Sequence, residues 1–189
     1  MRAAHPGAAV EVWAADEHRI GLKPIVRRVW APRGKRPVVE LHPRYQWRYL
    51  SGYVHPASGR TEWHLSSGIN IDLFASSLAH FAEQAGAGPD KEVLLVLDRA
   101  GWHTSRHLRV PQHLHLVELP PYTPELQPAE RLWTFSNAPL VNARPRDLDD
   151  LDTRQLDRCV ALQTEPALVA AIQSATQYHW WPADYSPTT

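Results

Sequence analysis

The sequence predicts an α/β domain built on a mixed β-sheet. Short apolar runs alternate with segments of helical periodicity, in the order strand, strand, strand, helix, strand, helix, strand, helix. Two of the buried-strand candidates run directly into an aspartate. The 189 residues, 43% hydrophobic and 21% charged, suit one globular domain and not a disordered chain.

Val10 to Ala15 is short, apolar and β-branched, and it ends at Asp16-Glu17, which predicts a buried strand carrying an acid at its C-terminal end. Residues 19–46 are rich in Pro, Gly and Arg and predict an extended arm with one strand near Val38 to Leu41. Trp47 to Val54 and Thr61 to Leu65 flank the turn signal His55-Pro56-Ala57-Ser58-Gly59 and predict a hairpin. Asn70 is suited to cap a helix whose apolar face is Ile71, Phe74, Leu78, Phe81 and Ala85, stopped by Gly86, Gly88 and Pro89. Glu92 to Leu97 reads as a central strand covered on both faces, and it ends in Asp98. A short helix is expected over 104–109 and a strand over His113 to Leu119. Pro120-Pro121-Tyr122-Thr123-Pro124 is a rigid connector, and Glu130 to Phe135 should open a helix. Pro139 and Pro145 break regular structure, and helices follow over roughly 149–163 and 165–178. The chain divides into a tail (1–9), a core (10–135, with the basic arm at 19–48) and a helical extension of the same domain (136–189).

Formal net charge is zero, yet residues 19–48 carry +8 and the remainder −8. This asymmetry points to a localised surface for a polyanion, and the interleaved Trp30, Tyr45 and Trp47 favour nucleic acid, because aromatic rings and Arg stack on bases. A lone Cys159 excludes a disulfide framework and a Cys-rich zinc module and reads as core. No apolar run approaches a membrane span, and no signal core opens the chain, so cytoplasmic residence on the nucleoid is expected. The phosphate-loop spacing is absent, so no nucleotide cofactor is expected.

Asp16, Asp98 and Glu130 stand out by position. Ligands of open α/β sheets gather beyond the carboxyl ends of the strands, and a rigid connector is suited to aim Glu130 at the same point. Like charges about 4 Å apart repel by roughly 4 kcal/mol at an effective dielectric near 20. A divalent cation removes that repulsion, and an all-oxygen donor set suits Mg²⁺ or Mn²⁺ over Zn²⁺. Two such ions clamp both oxygens of an in-line phosphoryl displacement. His103, His107, His113 and His115 lack an HExxH pattern or a Cys partner and read as surface and turn residues, with His103 set apart by its closeness to Asp98.

Together the motifs resemble the catalytic domain of DDE transposases, in the bacterial insertion-sequence branch of the mariner-like superfamily. The resemblance lies in Trp13-Ala14-Ala15-Asp16-Glu17, Val29-Trp30-Ala31-Pro32-Arg33-Gly34, Gly52-Tyr53-Val54, Asp98-Arg99-Ala100-Gly101-Trp102-His103 and the block from Leu119 to Trp133. It covers about residues 10–135 and implies a ribonuclease-H-like fold, a metal-binding catalytic triad of Asp16, Asp98 and Glu130, and two Mg²⁺ or Mn²⁺ ions. The implied reaction is cleavage at transposon ends followed by joining of the 3′ hydroxyl to target DNA. Arg27, Arg28, Trp30, Arg33, Lys35, Arg36, Arg99 and His103 become candidate DNA contacts, and Trp133 an anchor of its helix in the core. The implied partners are DNA and a second copy of the chain, or a subunit carrying the helix-turn-helix region that the family places before this domain. The alternatives are an inactive remnant that binds DNA or a partner subunit, and a ribonuclease-H-like nuclease of another type. Arg99 stands where the family usually has Asn. So does Gln127, whose longer amide is expected to perturb the connector. Pro139 and Pro145 fall where the family continues its helix. The chain begins about ten residues before the first catalytic strand, where that helix-turn-helix region is expected to be missing.

Overall fold

The computed structural model describes residues 7–35, 38, 44–174, 181 and 184, without the side chains of 171–174. Five strands form one mixed sheet: β1 (Ala9–Gly21), β2 (Trp47–Val54), β3 (Thr61–Ser66), β4 (Lys91–Leu97) and β5 (Leu114–Glu118), in the order β3-β2-β1-β4-β5. β1 pairs antiparallel with β2 and parallel with β4, β3 lies antiparallel on β2, and β5 parallel on β4. Helix α1 (Ile71–Ala85) covers one face. The short α2 (Leu132–Ser136) and the long α3 (Leu148–Thr164) cover the other, with α4 (Pro166–Ser174) following. No helix of the described residues is long and apolar enough to cross a membrane.

Alternation along β1 builds both cores. Trp13 and Ala15 pack with Phe74, Leu78 and Phe81 of α1, as the helical periodicity predicts. Ala14 and Ile20 point the other way, into a core with Leu132, Trp133, Leu151, Cys159 and Leu162. Cys159 is thus core, as expected, and burial pushes its thiol up to about 11. The Asn70 side chain accepts from the Leu73 amide at 2.9 Å, and Gly86 ends α1 in the left-handed region at φ 74°.

Several expectations are corrected. β1 does not stop at Ala15 but runs through Asp16 to Gly21, because β2 continues to pair with it after β4 has parted. Residues 104–109 form turns, not a helix. Glu130 lies in a 3₁₀ turn (Pro128–Arg131), with α2 opening only at Leu132 and ending before Pro139. The arm strand near Val38 to Leu41 lies outside the described residues apart from Val38, as does the end of the last expected helix, 175–178.

Gly52 faces Asp16 across the β1–β2 ladder, and a Cβ there would meet Trp133 at 3.0 Å and Leu132 and Trp63 at 3.1 Å. The missing side chain is what lets the Trp133 ring lie against the sheet. Gly52→Ala is therefore expected to destabilise the fold by about 1–3 kcal/mol through overpacking, read as a lower urea midpoint with unchanged slope. A midpoint at or above that of the parent would refute this packing argument.

Candidate active site

The site opens where β1 and β4 separate. Their parallel pairing ends at Ala14 and Val96, so Asp16 on β1 and Asp98 just after β4 stand at the mouth of the gap. β5 follows β4 to its end, where the Leu119 amide donates to the Leu97 carbonyl at 2.9 Å. The proline-rich connector therefore leaves beside Asp98 and crosses the gap. Asp16, Asp98 and Glu130 line one cavity of about 390 Å³, together with Arg99, Gln127 and the connector residues 119–124.

Each acid is held from behind. Asp16 accepts from the Trp133 indole through Oδ2 and from the Glu17 amide through Oδ1, both at 2.9 Å. Burial pushes its carboxyl up to about 7, with Glu130 and Glu17 adding to the rise against these hydrogen bonds. Asp98 is exposed, but its Oδ1 meets His103 Nδ1 at 2.8 Å and the Ala100 amide at 3.0 Å. The His103 hydrogen bond holds its carboxyl below the usual range. Burial and the charge of Asp98 push Glu130 up. The site thus carries excess negative potential that its own hydrogen bonds do not remove. The donor set is all-carboxylate and open to a cavity, which fits Mg²⁺ or Mn²⁺. The three acids do not converge on a single point: among the described residues, the trio whose ligand atoms all lie within 4.8 Å of one another is Glu62, His64 and His80.

Gln127 corrects the expectation of a perturbed connector. It is 3% exposed, donates through Nε2 to the Ala15 carbonyl at 2.9 Å, and accepts the Ala129 amide at 3.3 Å. It therefore ties the turn carrying Glu130 to the backbone beside Asp16. Trp133 is a core anchor, as expected, but its indole donor also orients Asp16, which no spacing rule signals.

His103 is also corrected. Its side chain is 1% exposed, so it makes no surface for DNA. Its Nε2 lies 3.1 Å from Glu17, whose side chain points from β1 to the face opposite Asp16. Burial works to lower its pKa, but the Asp98 and Glu17 carboxylates prevail and raise it to about 9, so both nitrogens are protonated. Glu17 was missed as a site residue, although it stands beside Asp16 in the quoted motif. Tyr122 was missed too. It lines the cavity, is almost wholly exposed and sits at φ 61°, a backbone conformation that bulky residues rarely adopt.

Among the other candidate DNA contacts, Arg99 lines the cavity with its Nε 2.7 Å from Glu118. Arg27, Arg28, Trp30, Arg33 and Lys35 are all exposed on the arm. Asn142 pins the base of the arm by accepting the Arg27 amide at 3.0 Å and donating to the Arg27 carbonyl at 3.1 Å. Arg36 lies outside the described residues. His113 and His115 both bond the buried Glu92, at 3.0 and 2.7 Å.

The sequence of the chain matches that of the family described as DDE superfamily endonuclease over residues 11–152. A relative from Sinorhizobium fredii (strain NBRC 101917 / NGR234), named Uncharacterized protein y4pE/y4sA, is 32% identical over 108 residues, 57% of this chain and 78% of the relative. The fold is similar to that of the Mos1 transposase paired-end complex with left transposon end, with a TM-score of 0.55 and 14% identity over 86% of this chain and 55% of that one. For the mariner Mos1 paired end complex with Mg the TM-score is 0.57 at 16% identity, over 86% of this chain and 55% of that one. The chain spans about half the length of these transposase chains, and the likeness is one of fold, the ribonuclease-H-like arrangement that the sequence implies.

Proposed function

Because the chain belongs to the DDE superfamily endonuclease family, we propose that it is the catalytic domain of a transposase, cutting DNA at element ends and joining the freed 3′ hydroxyl to target DNA. The observation that carries the reading is the shared cavity of Asp16, Asp98 and Glu130, with the first and third acids pushed up by burial and mutual repulsion. These three side chains would hold two Mg²⁺ or Mn²⁺ ions. When bound, such ions supply Lewis acidity at the scissile phosphate and activate the attacking oxygen. In parallel, Mos1 complexes were solved with Mg and with Mn.

The protein groups divide the remaining work. Trp133 and the Glu17 amide orient Asp16, His103 orients Asp98, and Gln127 fixes the turn that presents Glu130. Tyr122 on the rim and the fully exposed Trp30 offer ring faces to unstacked bases. The arm cations neutralise phosphates. Replacing Arg28, Arg33 and Lys35 together by Ala should flatten the dependence of log affinity on log salt by roughly 0.9 for each phosphate that is no longer neutralised. Filter binding on a duplex over a salt series measures this, and an unchanged slope would remove the arm from the interface.

The functional test offers the protein supercoiled plasmid and a duplex with a free 3′ hydroxyl, with Mn²⁺ and with EDTA. Metal-dependent nicking and joining are expected. Faster cleavage of an RNA–DNA hybrid, with no joining, would replace the transposase reading with that of another nuclease. Binding without cleavage would make the chain a DNA-binding remnant.

A further inference from the structure

The edge of the sheet carries a second cluster of metal-ligating side chains, which shares no residue with the carboxylate cavity. Glu62 and His64 are two apart on the edge strand β3 and so point to the same face. That face meets His80, near the end of α1. His64 Nε2 lies 3.8 Å from Glu62 Oε1, and His80 Nε2 lies 3.9 Å from the same oxygen. The two imidazole rings are 5.0 Å apart.

Three features mark the cluster as built for a cation. First, His64 Nε2 is buried and has no hydrogen-bond partner, an arrangement that a folded protein rarely leaves unrelieved. Second, the atoms behind it are engaged. His64 Nδ1 meets Ser77 Oγ at 2.5 Å, and Ser77 Oγ meets the Tyr53 hydroxyl at 2.6 Å. With Nδ1 donating to Ser77, the lone pair of His64 lies on Nε2 and points at the cluster. The Glu62 carboxylate accepts from Gln163 Nε2 of α3 through Oε2 at 3.0 Å and from the Trp63 amide, and its Oε1 is the oxygen that faces both histidines. Third, a cavity of about 270 Å³ lined by His64, Ser77 and His80 adjoins the cluster and has room for water ligands.

We propose that Glu62, His64 and His80 form a Zn²⁺ site, with water completing the tetrahedron, that staples the edge strand β3 to α1. Two imidazoles and one carboxylate are a borderline-soft donor set, which selects Zn²⁺ over Mg²⁺. Tetrahedral bonds of about 2.0–2.2 Å place ligand atoms roughly 3.3 Å apart. Closing the 3.8 and 3.9 Å separations to that value takes a turn of the Glu62 carboxylate toward His64 together with an inward swing of the half-exposed His80. The two metal sites of this chain then differ in chemistry: hard oxygens at the sheet opening, imidazoles at the sheet edge.

The test is calorimetric titration of the untagged full chain with Zn²⁺ in excess Mg²⁺, repeated on His80→Ala, Glu62→Gln and Asp98→Asn. Circular dichroism verifies that each variant is folded, and the 53% exposure of the His80 side chain makes His80→Ala safe in that respect. One equivalent of Zn²⁺ should bind to the parent and to Asp98→Asn. His80→Ala and Glu62→Gln should each lose at least tenfold in affinity. Ser77→Ala should weaken binding by roughly 10–100-fold through the ligand that it orients. Co²⁺ in place of Zn²⁺ should give intense visible absorption from a tetrahedral site in the parent and none in His80→Ala. An absence of Zn²⁺ binding to the parent, or binding that His80→Ala leaves unchanged, overturns the proposal.

Discussion

Asp98→Asn is expected to lower metal-dependent nicking of supercoiled DNA by about 10³-fold or more, with the fold intact. The substitution keeps the shape and one oxygen of the side chain but removes the charge that a divalent cation needs. It also takes from His103 one of the two carboxylates that hold it protonated, so the imidazole pKa should fall from about 9 toward its ordinary value. The ring titration by NMR and the nicking rate thus report on the same contact. Arg99→Ala serves as the control. Arg99 lines the same cavity but pairs with Glu118, away from the cation ligands, so the loss of rate should be far smaller. If Asp98→Asn retains activity within tenfold of the parent, the assignment of Asp98 as a cation ligand is wrong.

Asp16→Asn should stabilise the metal-free protein above about pH 7, even after losing the one of its two hydrogen bonds that an amide nitrogen cannot accept, and should abolish metal-dependent nicking. The Asp16 carboxyl rises from 3.8 to about 7 on folding, so the folded state binds this proton more tightly than the unfolded state does. Below about pH 4 the carboxyl is protonated in both states and contributes nothing. Between about pH 4 and 7 only the unfolded state loses its proton, and stability falls. Above about pH 7 the loss is complete, on the order of 2–4 kcal/mol. His103 works in a second window. Its raised pKa stabilises the fold fully below 6.5, and that contribution disappears as pH rises through about 9. In EDTA, the melting temperature of the parent should therefore fall in two stages. Asp16→Asn should flatten the first stage and leave the second, with a gain of about 5 °C at pH 7.5. Added Mg²⁺ should flatten the first stage in the parent but not in the variant. A parent curve that is level between pH 4 and 7 would show that Asp16 is not destabilised by its surroundings.

Much of this architecture was legible in advance, and particular residues show why. Ile71, Phe74, Leu78 and Phe81 announce α1 because helical periodicity is a local property, and Asn70 and Gly86 bound it by equally local backbone chemistry. Glu92 to Leu97 announces β4 by its continuous apolar run. The Leu119 to Trp133 block singles out Glu130 as the candidate third acid through resemblance, and Glu130 lines one cavity with Asp16 and Asp98. What failed depended on partners distant in sequence. The C-terminal end of β1 was misplaced because Asp16 to Gly21 are held in strand by β2, more than thirty residues away. The 104–109 segment runs as turns and packs against the α1 core only through Leu108, which is no helical face.

By itself the sequence determined most of the elements, the charge segregation and the family, and it named three candidate acids, since each of these is written in short-range spacing or in motifs. Only the tertiary structure decided what those residues touch. It turned Gln127 from an expected defect into the tie that places Glu130, and His103 from a DNA contact into the buried cation between Asp98 and Glu17. It placed the Trp133 indole against Asp16 by way of the empty space at Gly52. It also brought His80 to Glu62 and His64 across the sheet edge. Alternation and periodicity state which face a side chain takes. The partner on that face depends on strand order and on the packing of layers, which no local pattern encodes.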